Sequence, residues 1–287
     1  MQNSSSSLPA AGPTPSRRAD ILVGGGGPGG STIAALSAER GRRVVLLEED
    51  RHPRLHIGES LLPFNLPLFE RRSAKHWIER VSMTKFGMEF LPPYHDHGRT
   101  VTCDFTNAWD KSPPYSYQVR RSEFDHILLK NAAAKGAEVT EGRWVSGISA
   151  RHPRHGNRAR RGRTGLLLAG RVSGRCLRPR HPARRAVRPE NHDRRHDSAT
   201  VYSHFADARR LPGRAEGNIS FSRCDHGGFW FMPLADGTTS IGAGCRSEFI
   251  KSRRGGLQSF FLDTIALCPM LERLRDARLV SPLTATR

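Results

Sequence analysis

ADILVGGGGPGGSTIAALSAERGRRVVLLEED, residues 19–50, reads as strand, tight turn, helix and second strand. The apolar run Ile21-Leu22-Val23 predicts a strand that enters the glycine cluster Gly24 to Gly30, and within that cluster Gly25, Gly27 and Gly30 stand at G-x-G-x-x-G spacing. Each glycine has a physical reason: a turn needing unusual φ, a close approach of bare backbone to a pyrophosphate, and tight packing of a helix on the sheet. The helix is expected from Ser31 to about Arg40, with Gly41 stopping it. Its first N–H groups and positive dipole end would face the anion. A second strand, Arg43 to Leu47, ends in Glu48, near the distance at which a carboxylate accepts hydrogen bonds from a ribose 2′-hydroxyl. Glycine spacing alone is weak, but strand, helix, second strand and terminal acid in one unit are the context the motif requires. The competing reading is a glycine-rich surface loop in an ordinary α/β domain, with Glu48 a solvated strand-end charge.

The chain has 287 residues, enough for one large or two moderate domains. Met1 to Arg18, rich in Ser, Pro and Ala, has no apolar segment of signal-peptide length and reads as a disordered tail. Nothing marks a membrane span, and a cytoplasmic location is expected. The five cysteines (Cys103, Cys176, Cys224, Cys245, Cys268) are scattered singly, without metal-ligand spacing, and read as reduced thiols; no metal is expected.

The formal net charge of +19 raises the question of nucleic acid. Most of it lies in residues 151–195, which carry fifteen Arg, no Lys and two acids, a local charge of +13. That segment has no Phe, Tyr or Trp on which bases could stack, so nucleic acid is not the expected partner. Apart from Leu166-Leu167-Leu168 it shows no strand or helix period, and it is expected to be an unstructured insertion. Dense Arg with Pro, Gly and His is also what a GC-rich gene yields when read out of frame, with the frame restored before His196-Asp197-Ser198-Ala199. Peptide masses matching the sequence across 151–195 from an intact single frame would sink that idea.

Beyond Glu48 the chain continues as a polar loop into His56-Ile57-Gly58-Glu59-Ser60-Leu61-Leu62-Pro63. The run from the glycine turn through VVLLEEDRHPRLHIGESLLP, residues 44–63, resembles the FAD-dependent halogenases, the tryptophan-halogenase-like family, which carry a G-E-[AS]-x-x-P element after the ribose-binding acid. The resemblance implies that Gly58, Glu59 and Ser60 lie on a loop beside the flavin. Without it, the stretch is a turn before a Pro-interrupted helix at Phe64 to Arg71.

Met83 to Leu91 alternates as a half-buried strand. Lys85, at its start, falls where the family has a lysine facing a channel from the flavin. The resemblance implies that reduced FAD and O2 oxidise halide to hypohalous acid, which this amine captures or orients. That role needs an amine held close and partly desolvated; the alternative is an edge-strand lysine that discourages aggregation. A further strand is expected at Thr100 to Phe105, and Tyr115 to Asp125 reads as strand into helix, with Ser122 as cap and Glu123 and Asp125 in the first turn. VRRSEFD, residues 119–125, is similar to the R-x-x-F-D segment of these flavoproteins, which implies that Arg121 contacts FAD. Gly136 to Val139 is expected to turn and rejoin the FAD-binding sheet.

From Thr200 the sequence reads as an antiparallel sheet with a hairpin at Asp236-Gly237. Gly228 to Pro233, GFWFMP, occupies the place of the family's W-x-W-x-I-P signature: Trp230 and Pro233 match, Met232 stands for isoleucine, and Gly228 replaces the first tryptophan. The resemblance implies that Trp230 and Pro233 lie on the substrate side; an aromatic strand packing a core accounts for the same residues. A helix with Leu257, Phe260, Phe261, Ile265 and Cys268 on one face is expected from Leu257 to Cys268. The family's later G-D element and substrate-handling glutamate have no counterpart here, so a C-terminally truncated version is expected.

The expected class is therefore α/β: an FAD/NAD(P)-binding, Rossmann-like domain with an antiparallel substrate sheet. Consecutive blocks are anticipated: a tail at 1–18, the FAD domain with part of the substrate region at 19–150, the Arg-rich segment at 151–195, and the substrate sheet and helix at 196–287. The resemblance implies an oxidoreductase of secondary metabolism that uses FADH2 from a partner flavin reductase, O2 and halide to halogenate an aromatic or carrier-bound substrate. Alternatives on the same fold are a flavin monooxygenase, an isoprenoid-type reductase, or an inactive FAD-binding remnant.

Overall fold

The fold comes from a computed structural model that describes residues 17–71, 74–92, 98–109, 113–143, 145–150, 157–161, 167–175, 198–252, 254–268 and 271–286. Residues 1–16 of the expected tail, and much of the Arg-rich segment including Cys176, lie outside the described residues, while Arg17 and Arg18, placed in the tail from sequence, are strand residues paired with Leu168 and Ala169. The chain begins with β1 (Arg17–Gly24), α1 (Pro28–Ala38) and β2 (Val44–Leu47), then two short helices, α2 (Leu66–Arg71) and α3 (Lys75–Arg80). Strands β3 (Ser82–Lys85), β4 (Gly87–Leu91), β5 (Val101–Asp104) and β6 (Ser116–Val119) lead into α4 (Arg121–Ala134). Next come β7 (Glu138–Thr140), β8 (Val145–Ala150), β9 (Asn157–Arg161) and β10 (Leu167–Arg175). The remainder is β11 (Ser198–Ala206), β12 (Ile219–Cys224), β13 (Gly227–Pro233), β14 (Thr239–Arg246), α5 (Ser247–Lys251), α6 (Leu257–Ile265), β15 (Arg278–Leu279) and β16 (Thr284–Thr286).

These elements divide into two units, 1–52 with 128–190 and 53–127 with 191–287. Both are discontinuous in sequence, unlike the consecutive blocks anticipated. The pairing of β10 with β1 is the reason: it ties the Arg-rich segment back to the start of the chain.

The first unit holds a sheet in the order β7-β2-β1-β10-β9-β8. Its first four strands are parallel neighbours, with Ile21 opposite Val44 on one side and Val172 on the other. Strand β2 is buried throughout, as an interior parallel strand should be. Ala34 and Ala35 of α1, with Leu129 and Ala132 of α4, pack on Val23, Val44 and Leu46. β7 rejoins the sheet as expected. The unstructured insertion is corrected over two stretches, since β9 and β10 are ladder strands. A backbone in β conformation beside a strand with an open edge can be recruited by main-chain hydrogen bonds despite weak side-chain patterning.

Helix α1 begins at Pro28, three residues earlier than expected, with Gly27 as N-cap. Proline at the first position has its φ already set and lacks an N–H that would be unsatisfied there anyway. Helix α4 begins at Arg121, so Ser122 lies inside the first turn rather than capping it.

The second unit holds an eight-stranded sheet, β15-β11-β14-β13-β12-β4-β5, with β16 also on β11, and a separate ribbon of β3 and β6. It is antiparallel except where β4 runs parallel to β12. The Asp236-Gly237 hairpin is present, with Gly237 at φ 85°. Phe229 and Phe231 enter a core with Val201, Phe205, Ile241 and Phe260, Phe261 and Ile265 of α6. On the opposite face Tyr202, Ile219, Trp230 and Met232 pack together with Ile57 and Met88.

The single strand expected at Met83–Leu91 is broken in two at Phe86. Asn218 Oδ1 accepts from both Phe86 N and Gly87 N at 2.9 Å, so a side chain takes the backbone donors that a continuous ladder would have used. The break leaves Lys85 at the end of β3, opposite Ser116.

Candidate functional site

In the first unit the site is the turn after β1. Gly25 sits at φ 98°, a conformation that side chains resist, and its N–H donates to Leu47 O at 2.8 Å. Glu48, 3 % exposed at the end of β2, folds its carboxylate back on the turn: one oxygen accepts from Gly26 N and the other from Asp50 N at 2.9 Å. Ser31, fully buried, donates its hydroxyl to Gly26 O at 2.8 Å. Gly27 caps α1 and Gly30 is buried on the helix's inner side.

Gly26 is the functional position that motif spacing missed, because it falls on a free position of the pattern. A Cβ there would lie 3.0 Å from Leu129 and 3.1 Å from the Glu48 carboxylate, so any side chain at residue 26 would press on the acid where it meets the turn. The donor set fits a dinucleotide. A buried carboxylate at the end of the second strand is the acceptor type that ribose hydroxyls require. The first turn of α1 also carries amides with no intrahelical carbonyl to bond.

In the second unit, residues 58–61 run beside β6. Val119 N donates to Glu59 O at 2.8 Å, Leu61 N to Tyr117 O at 2.9 Å, and Ser60 bridges to Gln118. Ser60 Oγ accepts a hydrogen bond from Lys85 Nζ. The lysine is 1 % exposed and its Nζ lies 5.7 Å from the centre of the Phe105 ring. Burial pulls its ammonium down to about 8, so near neutral pH it carries a proton it can give up. An edge-strand lysine meant for solvent would be exposed. Ser116, across the ladder from Lys85, and Gln118 on the same strand each keep a buried oxygen with no hydrogen-bond partner among the described residues.

Arg121 was read as a flavin contact. Its guanidinium donates to both carboxylate oxygens of Asp125, at 2.7 and 2.9 Å, and to Ile57 O at 2.6 Å. Two of its N–H groups thus lock it to Asp125 one turn along α4, and a third supports the loop that carries Glu59 and Ser60. Glu59 is 2 % exposed and lies 3.1 Å, through both oxygens, from Nε2 of His204. Nothing in the sequence pointed to His204, an interior position of an ordinary strand. Trp230 donates its indole N–H to Ser240 Oγ at 3.4 Å and packs near Tyr202, while Pro233 closes β13; both are buried. Among the described residues no cluster of His, Cys, Asp or Glu could hold a metal ion, and no helix is long and apolar enough to cross a membrane.

A parallel sheet whose first strand turns through glycines into a helix N-terminus, answered by a buried carboxylate at the end of the next strand, defines a dinucleotide-binding protein of Rossmann-like type. A family model described as an NAD(P)-binding Rossmann-like domain matches residues 23–63. Tryptophan 2-halogenase of Chondromyces crocatus is 30 % identical over 239 residues, covering 82 % of this chain and 44 % of that protein. A flavin-dependent halogenase of Armillaria mellea is 33 % identical over 235 residues, covering 78 % and 46 %. Among solved structures, the myxobacterial chondrochloren halogenase, an FAD-dependent halogenase, superposes with a TM-score of 0.86 at 31 % identity, covering 94 % of this chain and 64 % of that one. The chain belongs to the flavin-dependent halogenase family, and it spans about half the length of the curated relatives it matches.

Proposed function

We propose that the chain is a flavin-dependent halogenase, a cytoplasmic oxidoreductase that uses reduced FAD, O2 and halide to halogenate an aromatic or carrier-bound substrate, with a separate flavin reductase supplying FADH2. The observation that carries this reading is the buried, proton-poised amine of Lys85, tethered to Ser60 on the G-E-S loop. Bound FAD would supply the two-electron chemistry that turns halide and O2 into an electrophilic halogen species.

The chain's own residues do the rest. Gly25, Gly27 and Gly30 leave bare backbone for the pyrophosphate, Ser31 braces the turn, and Glu48 accepts from the adenosine ribose. Arg121 holds the loop of Glu59 and Ser60, with its remaining N–H groups available to the cofactor. Lys85, its ammonium partly desolvated, donates a hydrogen bond to hypohalous acid or, once deprotonated, attacks its halogen, so that an N–halogen bond forms as the O–halogen bond breaks and hydroxide leaves, taking up the proton the amine sheds. Ser116 and Gln118 give a polar species beside the amine further oxygens to bond. Trp230 and Pro233 belong to the substrate side.

The test is product analysis with a reductase, NADH, bromide or chloride and a panel of phenols and indoles, alongside titration with FAD. Replacing Lys85 by alanine should abolish halogenation while FAD affinity stays within about threefold of wild type, since Lys85 contributes no cofactor hydrogen bond in this reading. Full halogenation by the variant would remove the assignment. NAD(P)H consumption without the reductase would instead point to a monooxygenase.

A further inference from the structure

We infer that His204 is the positioning residue of the Lys85 amine, acting through Glu59 and Ser60; the inference deepens the halogenase reading and rests on it for its catalytic meaning. Residues 59 and 60 are neighbours in an extended segment hydrogen-bonded to β6, and in extended chain successive side chains point to opposite faces. Glu59 therefore faces β11 of the large sheet and Ser60 faces β3 of the ribbon. The contacts agree: Glu59 meets His204, and Ser60 meets Lys85. A short strand with one side chain anchored to each neighbour transmits position from one to the other.

The anchor on the His204 side is built to be rigid. Nε2 lies 3.1 Å from both Glu59 oxygens, so this nitrogen carries a proton and donates it in a fork. The other ring nitrogen, Nδ1, lies 3.2 Å from Ser281 Oγ. That same hydroxyl accepts from the backbone N–H of His204 at 3.0 Å and sits 2.9 Å from Ser203 Oγ, while the Ser203 hydroxyl donates to Ser281 O at 2.6 Å. The imidazole is thus held at both nitrogens and cannot turn without leaving a buried carboxylate unpaired, which costs far more than an exposed contact. Arg121 fixes Ile57 O two residues upstream, so the loop is held at 57 and 59 and residue 60 is left no freedom. Ser60 Oγ is the hydrogen-bond acceptor that Lys85 Nζ finds there; the Phe105 ring packs beside the amine. If Glu59 relaxes, the acceptor moves away from an amine that has been taken out of water.

The experiment follows the Lys85 amine directly, in full-length protein carrying [15Nζ]lysine, with its signal assigned by its loss in Lys85→Met. Ser60→Ala should lower the titration midpoint of that amine, because the protonated form loses its acceptor. His204→Asn, too short to reach Glu59, should lower it in the same direction by half a pH unit or more, about threefold in the protonation equilibrium. The double variant should move it no further than the larger single effect, and Glu59→Gln, which keeps the side chain's shape, should fall between wild type and His204→Asn. If His204→Asn does not fold, Ser281→Ala, which removes only the partner of Nδ1, is expected to shift the midpoint in the same direction. A midpoint unmoved in folded His204→Asn, or in Ser281→Ala where that variant stands in, would overturn the inference, whatever happens to activity. A shifted midpoint together with full halogenation by Lys85→Ala would support the coupling and overturn the halogenase assignment of Lys85 instead.

Discussion

Lys85 pays for its position in a currency that pH reveals. Its ammonium is buried, and burial lowers its midpoint from about 10.5 in an open chain to about 8 in the fold. Below pH 8 the lysine is charged in both states, and the folded protein bears the whole cost of desolvating it. Between about 8 and 10.5 the folded state sheds its proton first, the unfolded chain binds more protons, and stability rises with pH. Urea unfolding at pH 7 and at pH 9.5 should show wild type gaining on Lys85→Met at the higher pH; pH curves that run parallel for the two proteins would contradict the buried-charge account. Gly25 makes a second residue-scale prediction. An alanine there must hold φ near 98°, so Gly25→Ala should cost about 1–3 kcal/mol in thermal or urea unfolding. It should also weaken FAD binding measured by flavin fluorescence.

At the scale of elements, the strand-turn-helix-strand unit was legible because its residues obey local rules: glycine for unusual φ, proline for the first turn of a helix, apolar runs for buried parallel strands. The hairpin at Asp236-Gly237 and the apolar face of α6 were legible for the same reason. What stayed hidden depends on partners distant in sequence. The break between β3 and β4 is imposed by Asn218, more than a hundred residues away, and β10 is recruited by the open edge of β1. In the site, Lys85 and Ser60 were named from a motif, but the bond joining them and the His204 anchor behind it belong to tertiary packing. Trp230 illustrates how an element enforces such packing. Its ring lies over Gly242 of the neighbouring strand, where a Cβ would come within 2.2 Å of the indole and 2.6 Å of Tyr202 Cβ. Gly242→Ala should therefore displace the indole and destabilise the protein by about 1–3 kcal/mol, with a change in tryptophan fluorescence. An unchanged emission spectrum and unfolding midpoint would show that the ring has room to move.

At the scale of the whole molecule, neither unit is one continuous piece of chain: 53–127 separates the two parts of the first unit, and 128–190 separates the two parts of the second. β1 is paired in register with β10, Arg17 with Leu168, and β4 with β12, Met88 with Ile219. Pairings of such long sequence separation demand that loop-closure entropy be met before any contact forms, and refolding from urea, followed by stopped-flow fluorescence, is expected to take seconds or longer. A dominant millisecond phase recovering all native signal would contradict this. The consequence in a living cell concerns timing. During synthesis at about 5–20 residues per second, β1 is made roughly 8–30 seconds before β10. In that interval one edge of the strand bearing the glycine turn lies open to any other nascent chain, so a chaperone that shields it should raise the yield of native protein more than any slowing of translation.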